Sequence, residues 1–583
     1  MSELASVIAA VEKHEKFVDA QVDRARRDVR FRGELLKQWN DFRASIGTVQ
    51  TPTGLRLPRL ALPLTDEPGE IARYWFGEGP PGQFPFANGV YPQMYATPTD
   101  GQTAEEPTRL FAGLGLPEDT NRRFHFLTHQ QRSIRLSTAF DGPTLYGLDS
   151  DHEGVFGKIG EGGVAISTVD DMARLFADFP LGDPHFSASM TINAPAPILL
   201  AMYVAAARRR FGPEVVAHLR GTVQADILKE VQAQNEIIFP LEASLRFLTD
   251  MVQYCAGHMP RWYPISISGY HIAEAGATPV QQAAYTLSNG FTYVQLFRDR
   301  GLDVNQFGPR LSFFLDCGLD IEYLALARVC RKIWAIVMRD CFKADERAQR
   351  FKLHTQTSGR SLIADEFQNN LTRTAIELLL AYANATNSCH SNSADEPFTT
   401  PSEQYVKLAA HGQAILLEET GLFKFMECAL AGSPGMKTVE RAVESAILDE
   451  FRELDRLGGV LPAITHRYQR SQIQSAAHQY ERQIYDGVRP IIALNRYADP
   501  AAKLPQVRVV RTPRKAKQKQ IDRLEKFKRR HARQARKALD DLAAVVDSGG
   551  NTFAQLIETV EHCSLGQITE RLHELVGRFR PMV

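Results

Sequence analysis

The sequence has no long apolar run, no charge surplus and no clustered cysteines, and each absence excludes a class of protein. No stretch approaches the roughly 20 apolar residues that cross a bilayer. Lysine plus arginine and aspartate plus glutamate both number 68, so composition points neither to nucleic acid nor to an acidic membrane surface. The seven cysteines, Cys255, Cys317, Cys330, Cys341, Cys389, Cys428 and Cys563, stand far apart with no CxxC spacing. That argues against a disulfide scaffold or a zinc knuckle. The opening MSELASVIAAVEKHEKF is broken by charges too early for a secretion signal, and a soluble, cytoplasmic setting is expected. No GxxxxGK[ST], HExxH or GxSxG is present, and the glycines of GKIGEGGVAI, from Gly157, fail the GxGxxG pattern and suit turns. His125 and His129 share a face if FHFLTHQQ is helical, but without a third ligand they pack or stay solvated. The absence of hydrolytic and phosphoryl-transfer signatures suits a reaction driven by a cofactor.

What is present is a chain of 583 residues, long enough for a large core with accessory regions. Residues from about 3 to 45 show helical periodicity with many charges. The stretch from Thr51 to Pro107 is rich in proline and glycine and reads as an extended arm packed on the body or a partner. From Phe124 to Leu417 strand-like runs alternate with helical ones: FSASMTIN then PILLAMYVAAARRRF, ISISGY then VQQAAYTLSNGFTYVQLFRDRG, RLSFFL then EYLALARVCRKIWAIVMRDC. This alternation predicts an α/β fold, a (β/α)8 barrel over 86–425, between an N-terminal helix and arm (1–85) and a helical C-terminal region (426–583). The basic stretch Arg508 to Lys537 has a single aromatic, Phe527, so it reads as a solvated helix that docks an acidic partner rather than as a nucleic-acid surface.

The predicted strands are unusual for a barrel. Period two puts Ser187, Ser189, Thr191 and Asn193 on one face of FSASMTIN, and Ala188, Met190 and Ile192 on the other. In PISISGYH, Ser266 and Ser268 alternate with Ile265 and Ile267. A (β/α)8 barrel ordinarily fills its interior with branched aliphatic side chains. Here hydroxyls face inward, so a long ligand with polar groups is expected in the lumen; a sheet edge facing water is the alternative.

GTVQADILKE (221–230), SISGYHIAEAGA (266–277), PRLSFF (309–314), HTQTSGRSL (354–362) and SCHSNSADE (388–396) follow one another in an order that resembles the methylmalonyl-CoA and isobutyryl-CoA mutases. PTRLFAGLG (107–115) and RLSTAFDGPTLYG (135–147) are most similar to the fused isobutyryl-CoA mutases. The resemblance, from Leu57 to the last residues, implies a barrel threaded by coenzyme A and capped by adenosylcobalamin. It also implies a radical 1,2-rearrangement of an acyl-CoA. The chain has no DxHxxG, since DSDHEG is wrongly spaced, so the cobalt ligand is expected from a separate small cobalamin-binding subunit. By the same resemblance two large and two small subunits would assemble, with a possible G-protein chaperone.

Carried over residue by residue, the resemblance gives His271 the bond to the thioester carbonyl and puts Tyr270 beside it. Thr222, Gln224, Arg310 and Ser312 fall at positions contacting coenzyme A or the acyl end, with Arg310 alternatively a structural ion-pair partner. Arg109, Ser189, Thr191 and Ser388 join them as substrate-binding residues. Asn392, Glu396, Gln356 and Ala139 are expected on the adenosylcobalamin side. Two positions bear on the acyl group: Gln234 stands where methylmalonyl enzymes have a carboxylate-pairing arginine, and Phe111 where they have tyrosine. An amide cannot supply the charge-assisted contact of a guanidinium. Isobutyryl-CoA to n-butyryl-CoA is therefore the expected reaction, with pivalyl-CoA to isovaleryl-CoA the alternative. A hydroxylated acyl-CoA would want a polar group where Phe111 stands. A non-catalytic acyl-CoA-binding scaffold is the alternative of another class. The chain departs from the family at Arg360, in place of tryptophan, in the longer 95–109 segment, and in ECALAGSPGMKTVE (427–440).

Overall fold

The computed structural model describes residues 3–96, 109–129, 131, 133–399, 401–429, 431–499, 501 and 511–579. Most of the longer 95–109 segment and the start of the basic stretch, 508–510, lie outside the described residues. Eight parallel strand positions follow one another: β1 Leu110–Ala112, β2 Ile134–Ala139, β3 Phe186–Thr191, β4 Gly221–Val223, β5 Trp262–Tyr263 continuing as Ile265–Ser268, β6 Leu311–Cys317, β7 Leu353–Thr357 and β8 Ser388–His390. Each pairs with the next in parallel register, Ser137 opposite Ser189 and Ser189 opposite Thr222, for example. Pro264 lacks an N–H and splits β5, but Ser266 N donates to Gln224 O (2.9 Å) and carries the ladder past it. Arg109 N to Cys389 O (3.1 Å) joins the ends. The result is the expected (β/α)8 barrel.

The alternation read from the sequence sets the layers. Ala188, Met190, Ile192, Ile265, Ile267 and Phe313 are buried in the core beneath the surrounding helices, while the serines and threonines between them face the lumen. Helix Ala196–Phe211 is buried from Ala196 to Ala207, because the C-terminal helix Thr552–Thr559 packs over it. A helix hydrophobic on all sides is one covered on all sides.

The N-terminal region holds α1 (Glu3–Arg27) and α2 (Val29–Ser45), separated at Asp28, whose carboxylate accepts from Arg30 N (2.9 Å) and Phe31 N (3.1 Å). The arm is less irregular than its proline and glycine content suggests. Glu67 caps a helix at Pro68–Arg73 that runs on into a π-turn, with proline at the helix start where its missing N–H costs nothing. The buried guanidinium of Arg331 donates to the carbonyls of Phe86 (3.0 Å), Ala87 (2.8 Å) and Asn384 (2.7 Å), pinning the arm to the barrel.

In the C-terminal region α3 (Pro434–Arg456) packs against α1, and α4 (Arg514–Ser548) lies along the β1–β2 side of the barrel. Lys528 of α4 holds Asp149 and Asp151, each at 2.8 Å. Asp149 is buried and keeps Ser564 Oγ (2.6 Å) and Gly566 N (2.8 Å) as other donors. Lys528→Met should cost about 1–3 kcal/mol, the usual range when a buried polar group loses one partner, read as a lower urea midpoint. No helix among the described residues is long and apolar enough to cross a membrane.

Candidate active site

A cavity of about 750 Å³ runs through the lumen. At the N-terminal end of the strands it meets Arg220, Tyr263 and Lys352; at the C-terminal end it meets Tyr270, His271, Gln356 and Glu396. Between them the wall is hydroxylic, with Ser137, Ser187, Ser189, Thr191, Thr222, Ser266, Ser312 and Ser388. Small hydroxyls leave the lumen open where branched aliphatics would close it. Arg109 crosses toward β3, donating to Ser189 Oγ (2.6 Å) and Leu136 O (3.0 Å). Ser312 Oγ donates to Ile265 O (3.0 Å), and His354 Nδ1 and Ser388 Oγ lie 2.7 Å apart.

His271 sits directly beyond β5. Its ring meets Tyr270 and Phe314 edge-on, at 5.4 and 5.6 Å between centroids, while Tyr270 stacks on Phe314 at 4.8 Å. Burial, with the Lys229 ammonium behind it, holds the imidazole well below its ordinary pKa, so it is neutral. Gln224 Nε2 donates to Ser268 Oγ (2.7 Å) and faces His271 Nδ1 at 3.4 Å. With the Gln224 amide N–H pointing at Nδ1, that nitrogen would accept and the ring proton would sit on Nε2. Gln224 Oε1 is buried without a partner. Burial raises the Tyr270 phenol well above its ordinary pKa, so it stays protonated while its oxygen accepts from Gln356 Nε2 (2.9 Å).

Gln356 also donates to Asn392 Oδ1 (2.7 Å), and Asn392 is tied to Thr357 through its backbone N–H and its side-chain amide, both at 2.8 Å. Asn392 is thus buried behind Gln356 rather than on the cavity wall. Glu396 faces the main cavity and also a second one of about 170 Å³, which Ala139, Phe111, Gly113 and Val406 line. Burial first, then the charges of Asp395 and Glu274, pushes its carboxyl up to about 8. Phe111 and His390 pack at 5.5 Å where the two cavities meet.

Three expected residues stand elsewhere. Asn193 leaves the lumen face: its side chain donates to Glu230 (2.6 Å) and accepts from Asp226 N (3.1 Å). The Arg310 guanidinium lies off the wall, on the carbonyls of Pro260, Ala256 and Gln306. Gln234 is exposed, at the end of a π-turn closed by Asn235 N to Glu230 O (2.9 Å), and its side-chain oxygen accepts from the buried Lys229 ammonium. Wall residues not expected include Arg135, Lys352, His354 and His390. The same period-two rule finds them, since Arg135 shares a face with Ser137, Lys352 and His354 with Gln356, and His390 with Ser388.

A family model described as methylmalonyl-CoA mutase matches residues 64–578. The chain belongs to the methylmalonyl-CoA mutase family. It is 45% identical over 559 residues to the fused isobutyryl-CoA mutase of Geobacillus kaustophilus, covering 91% of this chain and 51% of that protein. The fused isobutyryl-CoA mutase of Nocardia farcinica is 43% identical over 551 residues, with the same coverage. The 2-hydroxyisobutanoyl-CoA mutase large subunit of Aquincola tertiaricarbonis is 37% identical over 507 residues, 86% of this chain and 88% of that one. The chain spans about half the length of the fused relatives it matches. In this family setting the wall just described is a candidate acyl-CoA channel.

Proposed function

We propose that the chain is the substrate-binding large subunit of an adenosylcobalamin-dependent acyl-CoA mutase that interconverts isobutyryl-CoA and n-butyryl-CoA. The observation that carries this reading is a hydroxyl-lined lumen that reaches the neutral His271 at the C-terminal end of the strands. A pantetheine arm carries amides and a hydroxyl, which serine and threonine side chains can bond along its length, while Arg220 and Lys352 attract anionic groups at the far end. The long match to a chain named a large subunit supports the subunit role, and the fused relatives support the acyl group.

His271 donates its Nε2 proton to the thioester carbonyl and orients the migrating group, with Gln224 fixing the tautomer. Tyr270, held by Gln356 and by stacking on Phe314, walls the reacting carbons from water. In the rearrangement the thioester carbon leaves the branched carbon for a neighbouring methyl carbon, and a hydrogen moves the other way. The mouth fits an adenosyl group: Glu396 and Ala139 share a cavity there, and the raised Glu396 carboxyl can be stabilised in its charged form by hydroxyl donors. Bound adenosylcobalamin would supply the radical that makes the hydrogen exchange possible.

The test is an anaerobic assay of the chain with a cognate cobalamin-binding small subunit and adenosylcobalamin, offering isobutyryl-, pivalyl-, 2-hydroxyisobutyryl- and methylmalonyl-CoA separately. Turnover of isobutyryl-CoA supports the reading. Turnover of another substrate alone keeps the mutase and replaces its substrate, and no turnover in a formed complex favours a non-catalytic scaffold.

Glu396 gives a second test. If ribose hydroxyls bond the ionised carboxyl, its pKa is lower with ligand than without. Affinity is then weak while the carboxyl is protonated in both states and gains as pH rises toward about 8, by up to about tenfold per pH unit. Titration of the complex with 5′-deoxyadenosine should show this rise, and Glu396→Gln should flatten it. A pH-independent affinity in the unsubstituted protein would remove the carboxyl from that role.

A further inference from the structure

The basic stretch singled out in the sequence forms α4, and its two faces differ in what they meet. Leu524, Phe527, Ala535 and Ala538 are buried against the body. Cations flanking this face each have a carboxylate: Lys517 with Glu161 (2.7 Å), Arg523 with Glu118 (3.0 Å) and Arg530 with Asp170 (2.7 Å). These contacts account for the docking of α4 on the barrel.

The opposite face is basic too: Lys519 on it reaches Glu118 (2.7 Å) and Asp522 stands among its cations, but the others have no such partner among the described residues. Lys515, Lys526, Arg533 and Lys537 are exposed. At about 100° per residue they fall within about 40° of one line, opposite Leu524 and Ala535, over a length of about 33 Å. Arg514 and Arg536 are exposed beside them. None of the six has an ion pair among the described residues. Two nearby carboxylates are engaged, Glu525 with Arg529 (3.3 Å) and Asp522 with Gln518 (2.9 Å), while Asp541, one turn beyond Lys537, is exposed. The chain as a whole carries no net charge, so the surplus is local. Like charges in line repel, and an anionic occupant relieves that repulsion.

Charge complementarity sets the sign of the occupant, and geometry sets its class. The inner face of α4 is packed on the body along its length. Its one phenylalanine, Phe527, is buried and gives bases nothing to stack on. A row of cations with gaps of eleven, seven and four residues, eleven being four plus seven, matches carboxylates at four- and seven-residue spacing on a second helix. We infer that the exposed face of α4 docks an acidic helix of a partner protein.

The test uses the full chain and three fluorescent probes: an alanine-based helical peptide with glutamates at four- and seven-residue spacing, its scrambled isomer, and a short DNA duplex. The patterned peptide is expected to bind about tenfold tighter than either other probe, and salt should weaken it. The fourfold variant Lys515→Gln, Lys526→Gln, Arg533→Gln, Lys537→Gln keeps helix propensity and should lose about tenfold in affinity. Carbodiimide coupling of the patterned peptide to the unsubstituted chain should mark Lys515, Lys526 and Lys537, which needs no variant. Equal binding of the two peptides, tighter binding of the duplex, undiminished binding by the variant, or coupling mainly to other lysines would each overturn the inference.

Discussion

His271→Ala is expected to lower kcat by about 10²–10³-fold with little change in KM, the range seen when one preorganised donor to a developing oxyanion is removed. The ring is held on three sides, by Tyr270, Phe314 and Gln224, so little motion is needed to present Nε2. It is packed among these groups at the C-terminal end of the lumen, and away from bulk water a hydrogen bond is worth more. Under the proposed function, coenzyme A would be held along the hydroxyl-lined lumen away from this nitrogen, which is why KM should hold. Because burial and Lys229 depress the imidazole pKa, the neutral donor persists as pH falls through the ordinary histidine range. The unsubstituted enzyme should therefore show no loss of kcat centred near 6.5. His271→Gln keeps a donor of similar reach and should recover part of the loss. If His271→Ala instead raised KM with kcat intact, the residue would be a binding contact only.

The barrel and its polar lumen were legible because both rest on short-range alternation. Once the helices cover one face of FSASMTIN, Ser187, Ser189 and Thr191 can only point inward. The same rule fails at Asn193, since it holds only while the chain stays extended: β3 ends at Thr191, and the next asparagine turns to cap the Glu230 carboxylate. Arg310 and Gln234 were placed by the resemblance alone, which carries no local geometry. Arg310 lies just before β6, and its fork settles on three carbonyls. Gln234 ends a π-turn from Glu230 that no 3.6-residue periodicity shows. The arm's short helix was hidden by the proline that starts it.

The position of Gln234 makes its replacement by arginine the sharpest test of the acyl group. Lys229 is fully buried, and its ammonium is shared between Glu230 and the Gln234 side-chain oxygen. Arginine offers no acceptor, so Gln234→Arg would strip Lys229 of one partner and set a guanidinium beside it. Unfolding should shift to lower denaturant as a result, by about 1–3 kcal/mol. The same guanidinium, on a turn packed against Tyr270–Glu274, would supply the charge-assisted contact that a free carboxylate lacks here. Combined with Phe111→Tyr, it should strengthen competition by methylmalonyl-CoA against isobutyryl-CoA by about 2–5-fold, the worth of a charge pair formed on an exposed turn. Isobutyryl-CoA turnover should fall in parallel, because an apolar acyl end leaves the new charge unpaired. Adding Lys229→Gln removes the competing ammonium and lets its amide bond Glu230, so the triple variant should regain stability while keeping the new preference. Inhibition constants for methylmalonyl-CoA that do not move in either variant would separate Gln234 from the acyl site. The substrate argument would then rest on Phe111 alone.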